Sequence, residues 1–334
     1  MQAYRVLPGA DIAGLERAEL APRALGAQHI RVRVHAVSLN YRDLSMLRGA
    51  YPTPPGQTLI PCSDATGEVV ECGAEVTRWR VGDRVAGTFF PHWHDGEPTP
   101  RKVAAAPGAA ADGYLADEIV LHEDAAVATA LDPVAACTLP CAGVTAWNAL
   151  FEEGRLQPGS TVLLLGTGGV SIWALQLAKA AGLRAIVTSS SDAKLQRARE
   201  LGADATVNYL RHPEWQDEVA RVGGDVDLVV EVGGQGTLAR SIAAVRMGGR
   251  VVVIGGVSGF GAAELRPRDL IGSSRRLSGI FVGSRAMHEK LERFVAQHAI
   301  APVVDRVFSF EQARDAFTLM AAGGHFGKIV VALR

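Results

Sequence analysis

The chain has little that would tie it to a membrane, a nucleic acid or an oxidising compartment. Four cysteines in 334 residues (Cys62, Cys72, Cys137 and Cys141) are too few for a disulfide framework in a chain this long, which points to a reducing cytoplasm. No apolar run approaches the ~20 residues of a membrane span, and the opening MQAYRVLPG reads as a strand rather than a signal peptide. The formal net charge is −1 and no basic run exceeds Arg275-Arg276, so neither a nucleic acid nor a membrane surface is an expected partner. Of the 34 lysines and arginines only five are lysines (102, 179, 194, 290 and 328), a bias of composition more than of function. What is abundant is apolar residues, at 48%, enough to bury a large core and, at this length, to build two domains.

The most informative stretch is TVLLLGTGGVSIWALQLAKAAG, residues 161–182. Its apolar run suits a strand buried on both faces, and its Ile172, Ala174, Leu175, Leu177 and Ala178 give an apolar helical face. Between them lie Gly166, Thr167, Gly168, Gly169 and Val170. Glycines here allow a tight turn and close approach of a pyrophosphate to free N–H groups at a helix N-terminus. The third glycine of the dinucleotide fingerprint is replaced by Ser171, but a further strand at 185–188 follows at βαβ spacing. The stretch therefore predicts a dinucleotide site.

Residues 1–132 read as short strands and loops. Residues 30–39 alternate apolar and polar, 67–72 and 84–89 read as further strands, and no helix is expected between them, which suggests a small barrel-like domain. Residues 91–113, rich in Pro, Gly and Ala, are expected to form a long loop. From 133 the pattern changes. A helix is expected over 133–149, and strands at 161–165, 185–188, 227–232 and 250–254 alternate with helices, with a short strand at 205–207 and a helix at 214–222 between. This predicts a doubly wound parallel sheet over 133–282. A strand at 277–282, helices at 287–298 and 310–322, and a closing strand at 328–333 follow, the last expected to return to the first domain.

Taken together, SLNYRD (38–43), RGAYP (48–52), DATGEVVECG (64–73), GDRV (82–85), LPCAGVTAW (139–147), GTGGVS (166–171), ELGAD (200–204), VNY (207–209), FVGSR (281–285) and HFGKIVV (325–331) resemble the medium-chain dehydrogenases/reductases. Within that family the chain is most similar to the zinc-independent, quinone oxidoreductase-like branch. The resemblance implies an α/β fold, a Rossmann-type doubly wound parallel sheet (133–282) plus a GroES-like, mostly β substrate domain (1–132, completed by 283–334). It places Asn40, Ser63 and Cys141 at the positions where metal-dependent members hold a catalytic zinc. An amide and a hydroxyl beside one thiol do not make the three strong ligands such a site needs. Residues 90–115 also contain no cysteine, so the four-cysteine structural zinc cluster is missing, and His92 and His94 are no substitute. No metal is expected.

The resemblance also implies a nicotinamide cofactor. NAD-preferring members place an acid at the end of the second strand, whereas this chain has Ser189 and Ser190 there, with Lys194 and Tyr209 nearby. NADPH is the expected cofactor. Asp192, expected to cap the following helix, adds a negative charge against that reading. Thr145, Gly255, Phe281, Val282, Gly283 and Lys328 are further expected cofactor contacts. For the chemistry, Asn40 and Tyr51 are the candidate donors to a developing oxyanion, with Tyr41 and Asp43 beside them. Two readings stand for each, since Asn40 and Asp43 could simply fix their loop and Tyr51 could be a packed ring. The expected activity is NADPH-dependent reduction, without zinc, of a quinone or an α,β-unsaturated carbonyl compound, a small-molecule substrate, by a homodimer. Alcohol or aldehyde oxidoreduction, and a non-catalytic NADPH-binding sensor or accessory role, are the alternatives.

Overall fold

A computed structural model of the chain describes residues 1–333. The backbone divides into two compact units, Met1–Val144 with Gly283–Arg334, and Thr145–Val282.

In the first unit β1 (Gln2–Arg5) and β2 (Glu16–Glu19) form an antiparallel ribbon. The main sheet is built on β3 (His29–Ser38), whose alternation puts Ile30, Val32, Val34 and Ala36 inside. On one edge β3 pairs along its length with β4 (Asp64–Cys72), and β4 continues to β5 (Arg84–Gly87) and β7 (Ala126–Ala128). The other edge is shared. β6 (Glu118–His122) covers the N-terminal half of β3, leaving Ala36, Val37 and Ser38 for a later strand. The 91–113 loop contains one helical turn, Pro100–Val103, capped by Thr99. Arg285 and Ala286 donate their backbone N–H groups to the carbonyls of Trp93 and His94, which anchors the start of that loop.

The second unit holds β8 (Thr161–Leu165), β9 (Arg184–Ser189), β10 (Ala205–Asn208), β11 (Val226–Glu231), β12 (Val245–Val253) and β13 (Arg276–Gly279), all parallel, in the spatial order β10-β9-β8-β11-β12-β13. This is the doubly wound order, with its switch point between β8 and β11, where ligands bind at the carboxyl ends of the strands. Every residue of β8 is buried, as its apolar run predicts for a strand covered on both faces. Leu163, Ile186, Val207, Val229 and Val251 belong to one apolar core. The chain then returns to the first unit as β14 (Val304–Ser309) and β15 (Lys328–Ala332), with β15 antiparallel to the free end of β3.

Three sequence expectations need correction. The helix over 133–149 is broken into Pro133–Ala136, a widened π-type stretch at Leu139–Gly143, Val144–Trp147 and a second π-type stretch at Asn148–Glu152. Pro140 has no N–H to give to an α-helical ladder, so the chain opens there. Residues 133–144 also pack with the first unit rather than the second: Thr66 Oγ1 donates to the Pro133 carbonyl and Ser38 Oγ to that of Cys137. Finally, the strand expected at 277–282 ends at Gly279, and Val282 takes a left-handed φ of 51°.

One buried pair lies outside these elements' apolar contacts. On the Arg285–Gln297 helix, His288 Nε2 lies 3.8 Å from Glu292 Oε1, and Thr129 Oγ1 donates to Glu292 Oε2 at 3.3 Å. Burial pushes the Glu292 carboxyl up to about 7 and pulls the His288 imidazole down to about 3. Between the ordinary 4.5 of a glutamate and about 7 the folded chain holds a proton at Glu292 that the unfolded chain has lost, so this residue makes stability fall as pH rises. His288 contributes the opposite slope between about 3 and 6.5. Glu292→Gln is expected to gain on the wild type by about 2–3 kcal/mol between about pH 5 and about pH 8. Thermal melting of both proteins at the two pH values checks this; a constant offset would contradict it.

Candidate functional site

Each unit holds its own set of candidate residues. In the second unit the turn after β8 is the glycine turn. Gly166 has a left-handed φ of 74°, and Gly168 precedes the Gly169–Ala180 helix. A Cβ added at either glycine would meet nothing within 4 Å, so both leave open space where a phosphate would approach the helix N-terminus. The Gly166 N–H donates to Thr188 Oγ1 at 3.3 Å, tying the turn to β9. Ser171, in the third fingerprint position, turns its hydroxyl inward and donates to the Leu165 carbonyl at 2.7 Å. The missing glycine is thus replaced by a residue that fastens the helix to its strand. Thr167 is buried within the turn, and Val170 is half-buried in the first turn of the helix.

The end of β9 holds Ser189, buried, and Ser190, exposed. Ser189 Oγ accepts from the Ser191 N–H at 3.2 Å, and Ser191 Oγ accepts from that of Lys194 at 3.4 Å. The helix cap is therefore Ser191, not Asp192. Asp192 instead begins the helix with its carboxylate held by Asn208 Nδ2 at 2.8 Å and by the guanidinium of Arg211. That pairing answers its negative charge. Tyr209, partly exposed, donates its backbone N–H to the Ser189 carbonyl at 3.1 Å. The β9 end therefore presents serines beside Lys194, Tyr209 and Arg211, with no unpaired acid. Arg211 was not singled out from the sequence, since nothing local marks its contact with a residue nineteen positions earlier.

Across the switch point a second feature had no sequence signal. Glu231, at the end of β11, is fully buried, and its carboxylate accepts from the N–H groups of Gly233 (2.6 Å) and Gly234 (2.8 Å), from Thr237 Oγ1 (2.6 Å) and from Ser241 Oγ. It fixes the turn that faces the glycine turn. Gly234 and Gly256 are needed there, because a Cβ on Gly234 would lie 2.7 Å from the Gly256 Cα. Gly255 follows β12, and Thr145 is buried in the Val144–Trp147 helix. Phe281 is exposed, and Val282 is pinned through its carbonyl by Asn148 Nδ2 at 2.8 Å. Gly283 has no room for a Cβ, which would meet Val144 Cγ1 at 2.7 Å.

The set in the first unit is buried and charged. Asn40, 8% exposed, precedes the Tyr41–Leu47 helix, and its backbone N–H donates to Asp43 Oδ2 at 2.8 Å. Asp43 is fully buried, which pushes its carboxyl up to about 6 against the opposing pull of the Arg42 guanidinium. Arg42 lies between the rings of Tyr51 and Phe89, 4.9 Å from each centroid, and donates to the Pro107 carbonyl at 2.9 Å. Tyr51 therefore stacks on a cation while also packing against the apolar core of the first unit. Tyr41 is 45% exposed and stands apart from Asn40 and Asp43. Asp64, also fully buried, accepts from Ser63 Oγ (2.8 Å) and the Cys141 N–H (3.3 Å), with Ser38 Oγ, whose hydrogen goes to the Cys137 carbonyl, 3.3 Å away. Burial pushes the thiols of Cys137 and Cys141 well above the usual range.

Lys328 joins these pieces. Only 3% exposed, it donates to the Leu39 carbonyl at 2.7 Å and to Asn40 Oδ1 at 2.6 Å, with Asp64 Oδ2 3.8 Å away. An ammonium has only donors, so the amide must turn its oxygen to Lys328 and its Nδ2 the other way. Nδ2 is buried with no partner in the structure. A buried, unpartnered donor costs about 1–3 kcal/mol, so this amide is poised for an acceptor.

Comparison with known proteins agrees with both halves. A model for the alcohol dehydrogenase GroES-like domain matches residues 26–130, and one for zinc-binding dehydrogenases matches residues 169–297. The chain is 39% identical over 321 residues to a zinc-type alcohol dehydrogenase-like protein of Schizosaccharomyces pombe, covering 93% of this chain and 92% of that one. Quinone oxidoreductase-like protein 2 of Mus musculus is 27% identical, over 95% of this chain and 88% of its own. Among solved structures, a candidate alcohol dehydrogenase of Sinorhizobium meliloti superposes with a TM-score of 0.90 at 39% identity, covering all of both chains. A structure described as an NAD-dependent alcohol dehydrogenase superposes with a TM-score of 0.88 at 29% identity, again over all of both chains.

Among the described residues no helix is long and apolar enough to cross a membrane. The Glu231 arrangement gives a direct test of how the switch point is held. Glu231→Leu leaves two N–H groups and two hydroxyls without their acceptor, and is expected to cost about 3–5 kcal/mol of stability. Glu231→Gln, which keeps the shape and one acceptor oxygen, should cost about half as much. Melting curves check the order; equal losses would show that shape rather than hydrogen bonding matters.

Proposed function

Because the chain belongs to the medium-chain dehydrogenase/reductase family, whose members are nicotinamide-dependent oxidoreductases, we propose that it is an NADPH-dependent reductase of a quinone or an α,β-unsaturated carbonyl compound that works without zinc. The observation that carries this reading is the Asn40 amide, with Oδ1 held by Lys328 and Nδ2 buried without a partner. The nicotinamide supplies the hydride; the protein must meet the negative charge that then grows on the substrate oxygen. A pre-oriented N–H donor in a water-poor site does this at little reorganisation cost. Tyr51, stacked on Arg42, is the second donor in this reading, and Asp43 holds both Asn40 and Arg42 in place.

Zinc does not fit this donor set. The Cys141 thiol is pushed toward its protonated form by burial, the Ser63 hydroxyl donates its hydrogen bond to Asp64, and the Asn40 oxygen already faces an ammonium 2.6 Å away. A divalent cation would have to enter beside that like charge, and the nearby Asp64 carboxylate is already engaged by Ser63, the Cys141 N–H and, at 3.8 Å, Lys328 itself. Alcohol or aldehyde oxidoreduction is the second reading, and the names of the similar dehydrogenases favour it. Against it, no zinc ion in this reading would lower a hydroxyl's pKa.

NADPH rather than NADH is favoured by the β9 end, where Asp192 is already paired with Asn208 and Arg211 and the neighbouring serines can donate to a 2′-phosphate. Gly166, Thr167, Gly168, Gly169 and Val170 would hold the pyrophosphate, with Ser189, Ser190, Lys194 and Tyr209 around the phosphate of the ribose. Thr145, Gly255, Phe281, Val282 and Gly283 would lie toward the nicotinamide. A homodimer formed through the second unit completes the reading: β13 ends the sheet with an open edge, and Met247, Phe260 and Ile271 are exposed on that unit.

Two measurements test these assignments. Asn40→Asp keeps an oxygen for Lys328 but loses the donor, and is expected to lower kcat about 100-fold across quinones and enones with NADPH affinity little changed. Full turnover in that variant would remove Asn40 from the chemistry. Ser189→Asp is expected to shift the ratio of NADPH to NADH affinity at least about tenfold toward NADH, through repulsion of the 2′-phosphate. An unmoved ratio would mean that this pocket is wrongly assigned. In both cases NADPH consumption is followed over a panel of quinones, enones, enoyl thioesters and aldehydes. Turnover confined to aldehydes would favour the second reading, and saturable binding without turnover would favour a non-catalytic NADPH-binding role.

A further inference from the structure

The family resemblance implies Lys328 as a cofactor contact, but its ammonium faces the interior of the first unit. We propose that Lys328 is a positioning residue that acts through Asn40: it locks the carboxamide with Nδ2 toward the substrate and, through its positive charge on Oδ1, strengthens that N–H as a donor. The inference rests on the reading of Asn40 as the donor to the substrate oxygen. Three observations carry it. The bond from Lys328 Nζ to Asn40 Oδ1 is 2.6 Å, short for an N–H···O contact, as expected when the donor is charged. A second bond, to the Leu39 carbonyl at 2.7 Å, fixes the ammonium from the adjoining peptide, so it cannot follow the amide if the amide rotates. Asp64, 3.8 Å away and itself held by Ser63 and the Cys141 N–H, balances the charge without touching Asn40.

Turning the amide over would set two N–H donors against an ammonium at the same distance. In a buried site that repulsion outweighs the small intrinsic preference of a free amide, so one orientation is held. Polarisation then runs one way along the chain, from ammonium to amide oxygen to Nδ2–H. The donor strength is set in the protein before substrate arrives, which is the condition for stabilising charge that exists only during reaction. The element order explains how this is built. Lys328 opens β15, whose register against β3 pairs Val330 with Ser38, and so brings the lysine beside Leu39 and Asn40. The Leu39 N–H donating to the Ile329 carbonyl at 3.0 Å continues that register by one residue.

The test is a double-mutant cycle on the full chain, read out as kcat and KM for a quinone acceptor and as NADPH affinity by fluorescence titration. Lys328→Met is expected to lower kcat about 10- to 100-fold, with KM changed less than about threefold and NADPH affinity within about twofold. Asn40→Ala should fall by at least as much, and the double variant should be no slower than Asn40→Ala alone. Because Lys328→Met leaves Asp64 buried and uncompensated, Lys328→Met/Asp64→Asn removes both charges together and should show the same kcat loss if the single variant does not fold. Multiplying losses in the double variant would overturn the proposal, as would a loss of NADPH affinity above about tenfold in either Lys328 variant, or wild-type kcat in the charge-free pair. If Asn40→Ala is fully active while Lys328→Met is slow, Lys328 acts elsewhere. If both are fully active, it is the reading of Asn40 itself that fails.

Discussion

A single buried ammonium sets the order of the first unit's charged interior. Lys328 meets a carbonyl, an amide oxygen and, at longer range, the carboxylate of Asp64, while Arg42 pairs with Asp43. Two cations and two carboxylates therefore balance within the cluster. Burying such charges is costly, and their pairing offsets that cost only when the remaining lone pairs and protons find partners. Ser63, Pro107 and the N–H groups of Asn40 and Cys141 provide several of them. Three buried donors are left without a hydrogen-bond partner, Arg42 Nε and Nη2 and the Asn40 Nδ2, the last at the place where the family resemblance puts the first metal ligand. Asn40, where the family resemblance puts that ligand, is held here by an ammonium of the chain itself.

The second unit follows a different principle, in which side chains hold the backbone of the turns in place. Gly166 and Gly168 leave space above the helix start, and Ser171, Thr188 and Glu231 fasten the turns on either side of the switch point. Glu231 satisfies two peptide N–H groups that would otherwise be lost in the sharp turn after β11. At the β9 end, Asp192 pairs with the Arg211 guanidinium and accepts from Asn208, so its charge is not left unpartnered.

Much of this was legible in the residues alone, for physical reasons. Buried parallel strands show as unbroken apolar runs, which made β8 and the βαβ rhythm visible, and glycines mark the turn where a side chain would obstruct a phosphate. The alternation in β3 marked a half-buried strand. What failed were features set by distant partners or by small departures from regular geometry. Lys328 contacts a residue 288 positions away, and its neighbours in HFGKIVV do not say which way it points. The helix expected over 133–149 looked continuous because its apolar residues keep a helical spacing through turns widened at Pro140. Asp192 and Ser191 compete for the same cap, and the choice depends on Asn208 and Arg211, sixteen and nineteen residues after Asp192.

The central claim is that the chain's own amide and ammonium, and not a metal, meet the charge that forms on the substrate. The most direct measurement is of turnover against metal content: NADPH consumption with a quinone or enone acceptor by protein dialysed against chelator, with bound zinc quantified in the same samples. The account predicts the same kcat before and after dialysis at less than about 0.1 zinc per chain, a threshold set by the ~1 zinc per chain that a catalytic site requires. Activity that falls with the zinc content and returns when zinc is added back would contradict it.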